Sequence, residues 1–325
     1  MNISIPWLQI DPIAVDILAT SKRSDTVDFS IIVASYNRIA HLPQLIASIG
    51  QQVGDHSYEI VIVDDASTQG DLSSILSLPH SDKMTLARLQ KNSGSEALPQ
   101  NVGVYLAQSD ILFFIDSDDY LCDPHATSLM YKTMLGNSEC DFAFSNIIFQ
   151  IELEKLPATL QWIDEENDFY PTPMHQMQFT KRSHRYKIRA AQPYSFFDLM
   201  VFAYAIGLRA FKKQAIIRVG GWPLDLKSHD DFGLLLLLAA EGYRKNCQNM
   251  LPVNTNGYVY RITGDQTSAL GVPDDEIAQR SFLMKVLHEN HISYAQLEEA
   301  SRIQKEQGKV GVLERWNITK EELTI

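Results

Sequence analysis

The segment 111-ILFFIDSDDYL-121 begins with five apolar residues and then brings three carboxylates close together, Asp116, Asp118 and Asp119. A short, continuous apolar run is typical of a buried β-strand. Carboxylates repel one another, and removing one from water costs on the order of several kcal/mol unless a positive charge compensates. The three acids therefore either point into water or hold a cation, and the end of this strand is the first candidate for a functional site.

The sequence around this segment alternates between apolar strands and amphipathic helices. Strands are predicted at 29–36, 58–67, 84–90 and 110–119, and helices at 37–52, 71–78 and 97–108. Strands that are apolar along their whole length, separated by helices, indicate a mostly parallel sheet that is covered on both faces. The predicted fold class is α/β, a Rossmann-like half-domain of nucleotide-binding type.

The rest of the chain is less regular. Residues 1–28 receive no assignment, and residues 150–195 are polar and aromatic. A strand is predicted at 203–211, helices at 212–221 and 231–244, a last strand at 257–262, and amphipathic helices over 274–325. The irregular middle region carries a basic cluster that could bind an anionic acceptor or be a solvated loop: Lys181, Arg182, Arg185, Lys187 and Arg189.

Composition excludes several classes of function. The chain has 325 residues and a net charge of −12, which argues against bulk nucleic-acid binding and against a cationic membrane face. Three cysteines without a CxxC pair favour a reducing compartment. The longest apolar runs, 199–208 and 234–240, are shorter than the roughly 20 residues that cross a bilayer. No signal-peptide pattern is visible at the N-terminus. We expect a cytoplasmic protein that could work at the inner face of a membrane.

Polar residues follow three of the predicted strands. They are 35-SYNR-38, 64-DDAS-67 and 116-DSDD-119. Ligands in open α/β sheets bind beyond the carboxyl ends of the strands, so these groups are expected to meet at one rim. Carboxylate oxygens suit Mg²⁺ or Mn²⁺. The alternative is a set of solvated turns, with Asp64 and Asp65 acting as a turn or a helix cap.

The order of these motifs resembles family 2 glycosyltransferases of the GT-A fold. The resemblance rests on SYNR at 35–38, VDDAS at 63–67, NSGSEALPQNVG at 92–103 and FFIDSDDYL at 113–121, and then on GGWPLDLKSHDDFGLLLLLAAEGYR at 220–244. It implies a GT-A domain at 29–262, with a nucleotide-sugar half at 29–120 and an acceptor half at 121–262. An N-terminal extension at 1–28 and a C-terminal helical region at 263–325 would flank it.

The resemblance implies inverting transfer of a sugar from a nucleotide-diphosphate donor to a hydroxyl group. Asp118 would be the metal ligand of a DxD motif, with Asp116 directed to ribose or metal, and Mn²⁺ or Mg²⁺ would be the cofactor. Asp231 would be the general base, next to Asp230. Trp222 would line the acceptor site, with core packing as its alternative. The implied donor-binding residues are Ser35, Tyr36, Asn37, Arg38, Asp65, Asn92, Gln100, Asp116 and Ser117.

The sequence departs from the family pattern at three places. Gln100 stands where an arginine is usual, Gly233 stands where a later aspartate is usual, and Thr263 stands where many relatives have a metal-binding histidine. These departures keep open a second hypothesis, a catalytically silent relative that binds a nucleotide-sugar or glycan as a partner subunit. A nucleotidyltransferase is a third hypothesis, but that class usually has a glycine-rich, basic loop after its first strand, and 34-ASYNRIAHL-42 lacks one.

The QxxRW signature of processive members is missing. The resemblance therefore favours a non-processive enzyme of cell-surface polysaccharide synthesis, similar to bacterial teichoic-type glycosyltransferases. The expected partners are a UDP-sugar and a glycan or lipid-linked acceptor, and not nucleic acid. Peripheral membrane association and oligomerisation stay open.

Overall fold

The structure is a computed structural model that describes residues 1–21, 27–152, 184–189, 191, 193–201, 207–262 and 275–323. Its strands are β1 (Asn2–Ile3), β2 (Ile13–Ala19), β3 (Phe29–Ser35), β4 (Tyr58–Asp64), β5 (Met84–Leu89), β6 (Ile111–Phe114), β7 (Tyr120–Leu121), β8 (Phe142–Glu152), β9 (His184–Arg189), β10 (Arg209–Lys212) and β11 (Met250–Ile262). Its α-helices are α1 (Leu42–Gly50), α2 (Ala97–Leu106), α3 (Ala126–Gly136), α4 (Phe196–Val201), α5 (Lys213–Arg218), α6 (Asp230–Lys245), α7 (Asp275–Glu289), α8 (Tyr294–Glu306) and α9 (Val312–Trp316).

The strands of the described residues form one sheet in the order β1-β2-β5-β4-β3-β6-β10-β8-β11-β7, with β9 paired to β8. The pairs β5–β4, β4–β3 and β3–β6 are parallel, so the carboxyl ends of these strands face the same way. Strand β10 runs antiparallel between β6 and β8. The predicted α/β class with a mostly parallel centre is confirmed.

Alternate residues of the central strands enter two different buried clusters. Ile32, Val61 and Leu112 pack with helices α2 and α6 on one face, whereas Ile31 and Ile60 pack with α1 and α3 on the other. A strand places successive side chains on opposite faces, so this division shows a sheet that is buried on both sides. Burial on both faces explains why the predicted strands are apolar along their whole length.

Several element boundaries differ from the predicted ones. Helix α1 begins at Leu42 rather than at residue 37, because Asn37 takes a left-handed backbone conformation (φ 55°) and Pro43 favours the first turn of a helix. Strand β6 ends at Phe114, since the acids after it form a turn in which the Asp119 amide donates to the Asp116 carbonyl oxygen (3.0 Å). The segment predicted as a helix at 71–78 is a 3₁₀ helix at Leu72–Ser77.

Both ends of the chain join the main body. Strand β2 pairs antiparallel with β5, so the unassigned N-terminal segment extends the sheet. The predicted C-terminal helices are present, and Leu283, Leu297 and Trp316 belong to the same buried cluster as Phe232 of α6. Among the described residues, no helix combines the length and apolar character needed to cross a bilayer. Lys181, Arg182 and Thr263 lie outside the described residues.

The contact between α2 and β3 gives a direct test of this packing. A Cβ atom added to Gly103 would lie 2.4 Å from Cγ2 of Ile32, whereas one added to Gly136 in α3 would meet nothing within 4 Å. We expect Gly103→Ala to lower the free energy of unfolding by about 1–3 kcal/mol through overpacking. Gly136→Ala is the control. Because alanine has the higher helix propensity, this change should leave the free energy of unfolding unchanged or raise it by up to about 1 kcal/mol. Equal urea midpoints for the two variants would contradict the packing.

Candidate functional site

The three carboxylates after β6 lie in three different environments. Asp119 is buried, with 1% of its surface exposed, and its Oδ1 accepts the Arg261 amide at 2.8 Å. The Tyr258 hydroxyl lies 2.6 Å from Asp119 Oδ2 and 3.1 Å from Asp116 Oδ2. Burial, followed by the nearby charges, raises the pKa of Tyr258 well above its usual value. Asp119 therefore holds the turn in place, whereas Asp116 and Asp118 keep partly exposed side chains.

Asp118 forms an ion pair with Arg38, whose Nε lies 3.4 Å from Oδ2. Burial raises the pKa of Asp118, the charge of Asp116 raises it further, and Arg38 works in the opposite direction. The predicted donor-binding residue Arg38 and the predicted metal ligand Asp118 are thus brought together. Arg38, in the loop after β3, therefore compensates the negative charge of Asp118 in the turn after β6.

A residue that the sequence analysis did not single out connects the two predicted acidic groups. Arg209 is 5% exposed, and its Nη2 donates to Asp116 Oδ1 at 2.5 Å while its Nη1 donates to Asp231 Oδ2 at 3.3 Å. Burial opposes its charge, but Asp116 and Asp231 hold the pKa of Arg209 above its usual value. The turn after β6 and the start of α6 therefore lie on either side of one guanidinium group.

The topology explains how Arg209 reaches this position. Arg209 is the first residue of β10 and pairs with Phe114, the last residue of β6, only two positions before Asp116. The chain enters β10 through Gly207, where a Cβ atom would lie 2.5 Å from the Ser145 carbonyl oxygen. An isolated arginine in a strand predicted at 203–211 carries no motif, so only the antiparallel register shows its role.

The two acids that begin α6 differ in exposure. Asp230 is buried, and burial followed by the charge of Asp231 raises its pKa to about 7. The Asp231 side chain is 30% exposed, and its Oδ1 accepts the Phe232 amide at 2.7 Å. A carboxylate at a helix N-terminus is favoured by the helix dipole. Asp231 is therefore the more accessible of the two predicted catalytic acids.

The predicted donor-binding residues after β3 divide into exposed and structural ones. Tyr36 is 45% exposed and presents its ring at the rim. Asn37 instead ties two loops together, because its Oδ1 accepts the amides of Thr68 (2.8 Å) and Gln69 (3.1 Å). Ser35, the last residue of β3, is buried, as is Ser117 in the turn after β6. Of this group, Tyr36 is the side chain with the most surface available to a planar ligand.

Asp65 and Asn92, predicted to act on the same ligand, are in direct contact. Asp65 Oδ2 accepts from Asn92 Nδ2 at 2.9 Å, and Asp65 Oδ1 accepts the Ser93 amide at 2.9 Å. Burial raises the pKa of Asp65 above its usual value, although the hydrogen bonds from Ser93 act in the opposite direction. The loop before α2 is therefore fastened to the end of β4 by the carboxylate that was predicted to contact ribose.

Gln100 and Trp222 are both buried. Gln100 lies in α2 at 3% exposure, and its Oε1 has no hydrogen-bond partner within the described part of the chain. Trp222 is 2% exposed, with ring centroids 4.4 Å from Phe114 and 5.7 Å from Phe211. The prediction that Trp222 lines the acceptor site is wrong, because aromatic neighbours cover the indole. Its alternative, core packing, is correct.

Glu96 was quoted in the sequence motif but was not predicted as a site residue. It lies just before α2 and keeps part of its surface exposed. Desolvation by the surrounding protein, followed by the charges of Asp116, Asp230 and Asp118, raises its pKa well above its usual value. The part of this shift that comes from repulsion between acids is what a bound cation would relieve. The acids of the two predicted groups and Glu96 thus share one electrostatic environment.

The donor set can be compared with what a divalent cation needs. No group of three His, Cys, Asp or Glu side chains is arranged as a metal site within the described ranges. Mg²⁺ is usually held by one or two carboxylates together with substrate phosphates and water, rather than by a complete protein cage. Asp116 and Asp118 fit that incomplete kind of site, in which a substrate supplies the remaining oxygens.

Comparison with known families shows to which family this α/β sheet, with its acids at the rim, belongs. Residues 30–202, more than half of the chain, match the family model described as "Glycosyl transferase family 2". The chain therefore belongs to glycosyl transferase family 2.

Curated relatives match at moderate identity. An "Uncharacterized glycosyltransferase" of Haemophilus influenzae is 26% identical over 65% of this chain, and "Uncharacterized glycosyltransferase YwdF" of Bacillus subtilis is 25% identical over 81% of it. Poly(ribitol-phosphate) beta-N-acetylglucosaminyltransferase TarS of Staphylococcus aureus is 33% identical over 29% of the chain. The matched parts make up 62%, 83% and 16% of these relatives, respectively.

Solved structures share the fold. The structure of S. aureus TarS 1–349 in complex with UDP-GlcNAc superposes with a TM-score of 0.56 at 17% identity, covering 89% of this chain and 78% of that one. A second TarS structure gives a TM-score of 0.55 at 16% identity, covering 86% of this chain and 43% of that one. The sheet and its surrounding helices are thus of the GT-A type.

The Tyr258 hydroxyl offers a test of how the turn is held. We expect Tyr258→Phe to lower the free energy of unfolding by about 1–3 kcal/mol, because buried Asp119 loses a hydrogen-bond donor. Urea denaturation measures this change. Tyr105→Phe is the control, since that side chain is 39% exposed. A Tyr258→Phe protein as stable as the control would mean that the hydroxyl does not support the turn.

Proposed function

We propose that the protein transfers a sugar from a nucleoside-diphosphate sugar to a hydroxyl group of a glycan or lipid-linked acceptor, with inversion at the anomeric carbon. The observation that carries this proposal is the contact of Arg209 with both Asp116 and Asp231. One guanidinium group thus contacts Asp116 of the proposed DxD motif and Asp231, the candidate base. Transfer between two substrates needs these groups on opposite sides of the same sugar.

The donor half of the proposed site is formed by the ends of β3, β4 and β6. The exposed ring of Tyr36 is suited to stack on a base, and Asp65 with Asn92 offers hydrogen-bonding groups to ribose. A UDP-sugar is the proposed donor. This choice is supported by the structural likeness to TarS, whose structure contains UDP-GlcNAc.

Asp118 and Asp116 would hold Mn²⁺ or Mg²⁺ together with the donor diphosphate. Such an ion neutralises negative charge on a leaving diphosphate. The chain's own contribution is to fix the two carboxylates: Asp116 is oriented by Arg209 and Tyr258, and Asp118 is paired with Arg38. The incomplete ligand set leaves room for phosphate oxygens.

Asp231 is the proposed general base. It would accept the proton of the acceptor hydroxyl as that oxygen forms a bond to the anomeric carbon. The bond from this carbon to the diphosphate oxygen breaks, and its electron pair leaves with the nucleoside diphosphate. Partial exposure of Asp231 allows an acceptor to reach it, while Asp230 lies buried beside it.

The proposed acceptor class is a cell-surface glycan or a lipid-linked or polyol-phosphate polymer. Its support is the similarity to TarS, at 33% identity over 29% of the chain, and to TarP, at 30% identity over 28% of the chain. Both of those proteins are poly(ribitol-phosphate) beta-N-acetylglucosaminyltransferases. The absence of a QxxRW signature supports addition of single sugars.

Calorimetry with UDP tests the donor half. Wild-type protein should bind UDP more tightly with Mn²⁺ than without it. Asp118→Asn should lose this effect of Mn²⁺ on UDP affinity. Changes to outer-shell residues already lower metal affinity roughly 10–100-fold, and loss of a direct ligand should cost at least as much. Asp225→Asn, a change at an exposed acid in the loop before α6, is the control and should bind like wild type. An unchanged metal effect in Asp118→Asn would remove Asp118 from the metal site.

Steady-state transfer kinetics test the base. Asp231→Asn should bind UDP and Mn²⁺ normally but lower kcat by about 10²–10⁴-fold, the usual contribution of a general base. Release of nucleoside diphosphate from a panel of sugar nucleotides, with lipid-linked and polyol-phosphate acceptors, measures this. A kcat equal to that of Asp225→Asn would place the base elsewhere. A wild-type protein that binds UDP but releases no diphosphate from any donor would favour the silent-relative hypothesis.

A further inference from the structure

We propose that Arg209 is a positioning residue that holds the base Asp231 in register with the donor-side carboxylate Asp116. This inference rests on the proposed function, because it assigns a role within the same site. Arg209 is 5% exposed, so it acts through the two carboxylates rather than by contact with substrate.

Each oxygen of the two carboxylates that contact Arg209 accepts a hydrogen bond. Asp116 is held through Oδ1 by Arg209 and through Oδ2 by the Tyr258 hydroxyl. Asp231 is held through Oδ2 by Arg209 and through Oδ1 by the Phe232 amide. With both oxygens engaged, neither carboxylate can rotate freely, and the separation between the two is set by the width of one guanidinium group.

An arginine is suited to this task and a lysine is not equivalent. The guanidinium is planar and presents separate N–H groups in a fixed fork, so Nη1 and Nη2 can serve two different carboxylates. A lysine ammonium is a single point on a flexible chain. The backbone of Arg209 is held by pairing of β10 with β6 and β8, and its guanidinium is held by burial and by the two carboxylates.

Removal of the guanidinium should affect the two carboxylates unequally. Asp116 would keep its contact with Tyr258, whereas Asp231 would keep only the amide of the neighbouring Phe232. The main consequence is therefore expected at the base. Misplacement of a catalytic group by about 1 Å can cost roughly 10²-fold in rate. We expect kcat to fall by about that factor while KM for the donor changes little.

The test compares transfer kinetics of the wild type, Arg209→Met, Arg209→Lys and Arg218→Met. Arg218 is the matched control, since it also joins two carboxylates, Glu241 (2.7 Å) and Asp141 (2.9 Å), but lies outside the site. Arg209→Met should lower kcat roughly 10²-fold, Arg209→Lys should recover part of the loss, and Arg218→Met should keep the wild-type kcat. Circular dichroism confirms that each variant is folded.

A double-mutant cycle supplies the deciding result. Once Asp231→Asn has removed the base, Arg209→Met should cause no further loss of kcat, because the arginine acts through that carboxylate. Losses that multiply would overturn the proposal, as would an equal loss in Arg218→Met or a change confined to KM. If Arg209→Met fails to fold, the same cycle is run with Arg209→Lys. An active wild type with multiplying losses overturns this inference alone, whereas an inactive wild type overturns the proposed function with it.

Discussion

The buried charge of Arg209 is the interaction on which the arrangement of the site depends. Two unit charges 4 Å apart interact by about 4 kcal/mol at the effective dielectric constant found near protein surfaces. The guanidinium stabilises the negative charges of Asp116 and Asp231, and the Tyr258 hydroxyl is a neutral donor to Asp116. Without the positive charge of Arg209, the acids after β6 and at the start of α6 would repel one another. The same contact therefore stabilises the fold and sets the spacing of the candidate catalytic groups.

The mixed direction of the strands makes this contact possible. The parallel strands β3, β4 and β6 deliver their carboxyl ends, with Tyr36, Asp65 and Asp116, to one rim. The antiparallel strand β10 brings a residue to the same place from its amino end. Helix α6 then starts with its N-terminus near that rim, and α7 and α9 pack against it. The C-terminal helices thus support the helix that carries the candidate base.

The sequence predicted those parts of the site that follow local rules. Apolar runs ended by acids correctly predicted the central strands, and the acids Asp116, Asp118 and Asp231 are brought to one region. Arg209 and Tyr258 were missed because their roles depend on pairing between distant strands. Trp222 was misassigned because an aromatic residue after two glycines has the same local pattern whether it faces a ligand or Phe114. Strand β2 was missed because its seven residues gain their stability from pairing with β5.

A crystal structure of the protein with UDP and Mn²⁺, using anomalous scattering to locate the metal, would show the arrangement of the site. We expect manganese at the carboxylate of Asp118 in contact with the diphosphate, the base of UDP beside Tyr36, and Arg209 still joined to Asp116 and Asp231. A nucleotide bound away from this rim, or a metal peak that does not involve Asp118, would contradict this expectation.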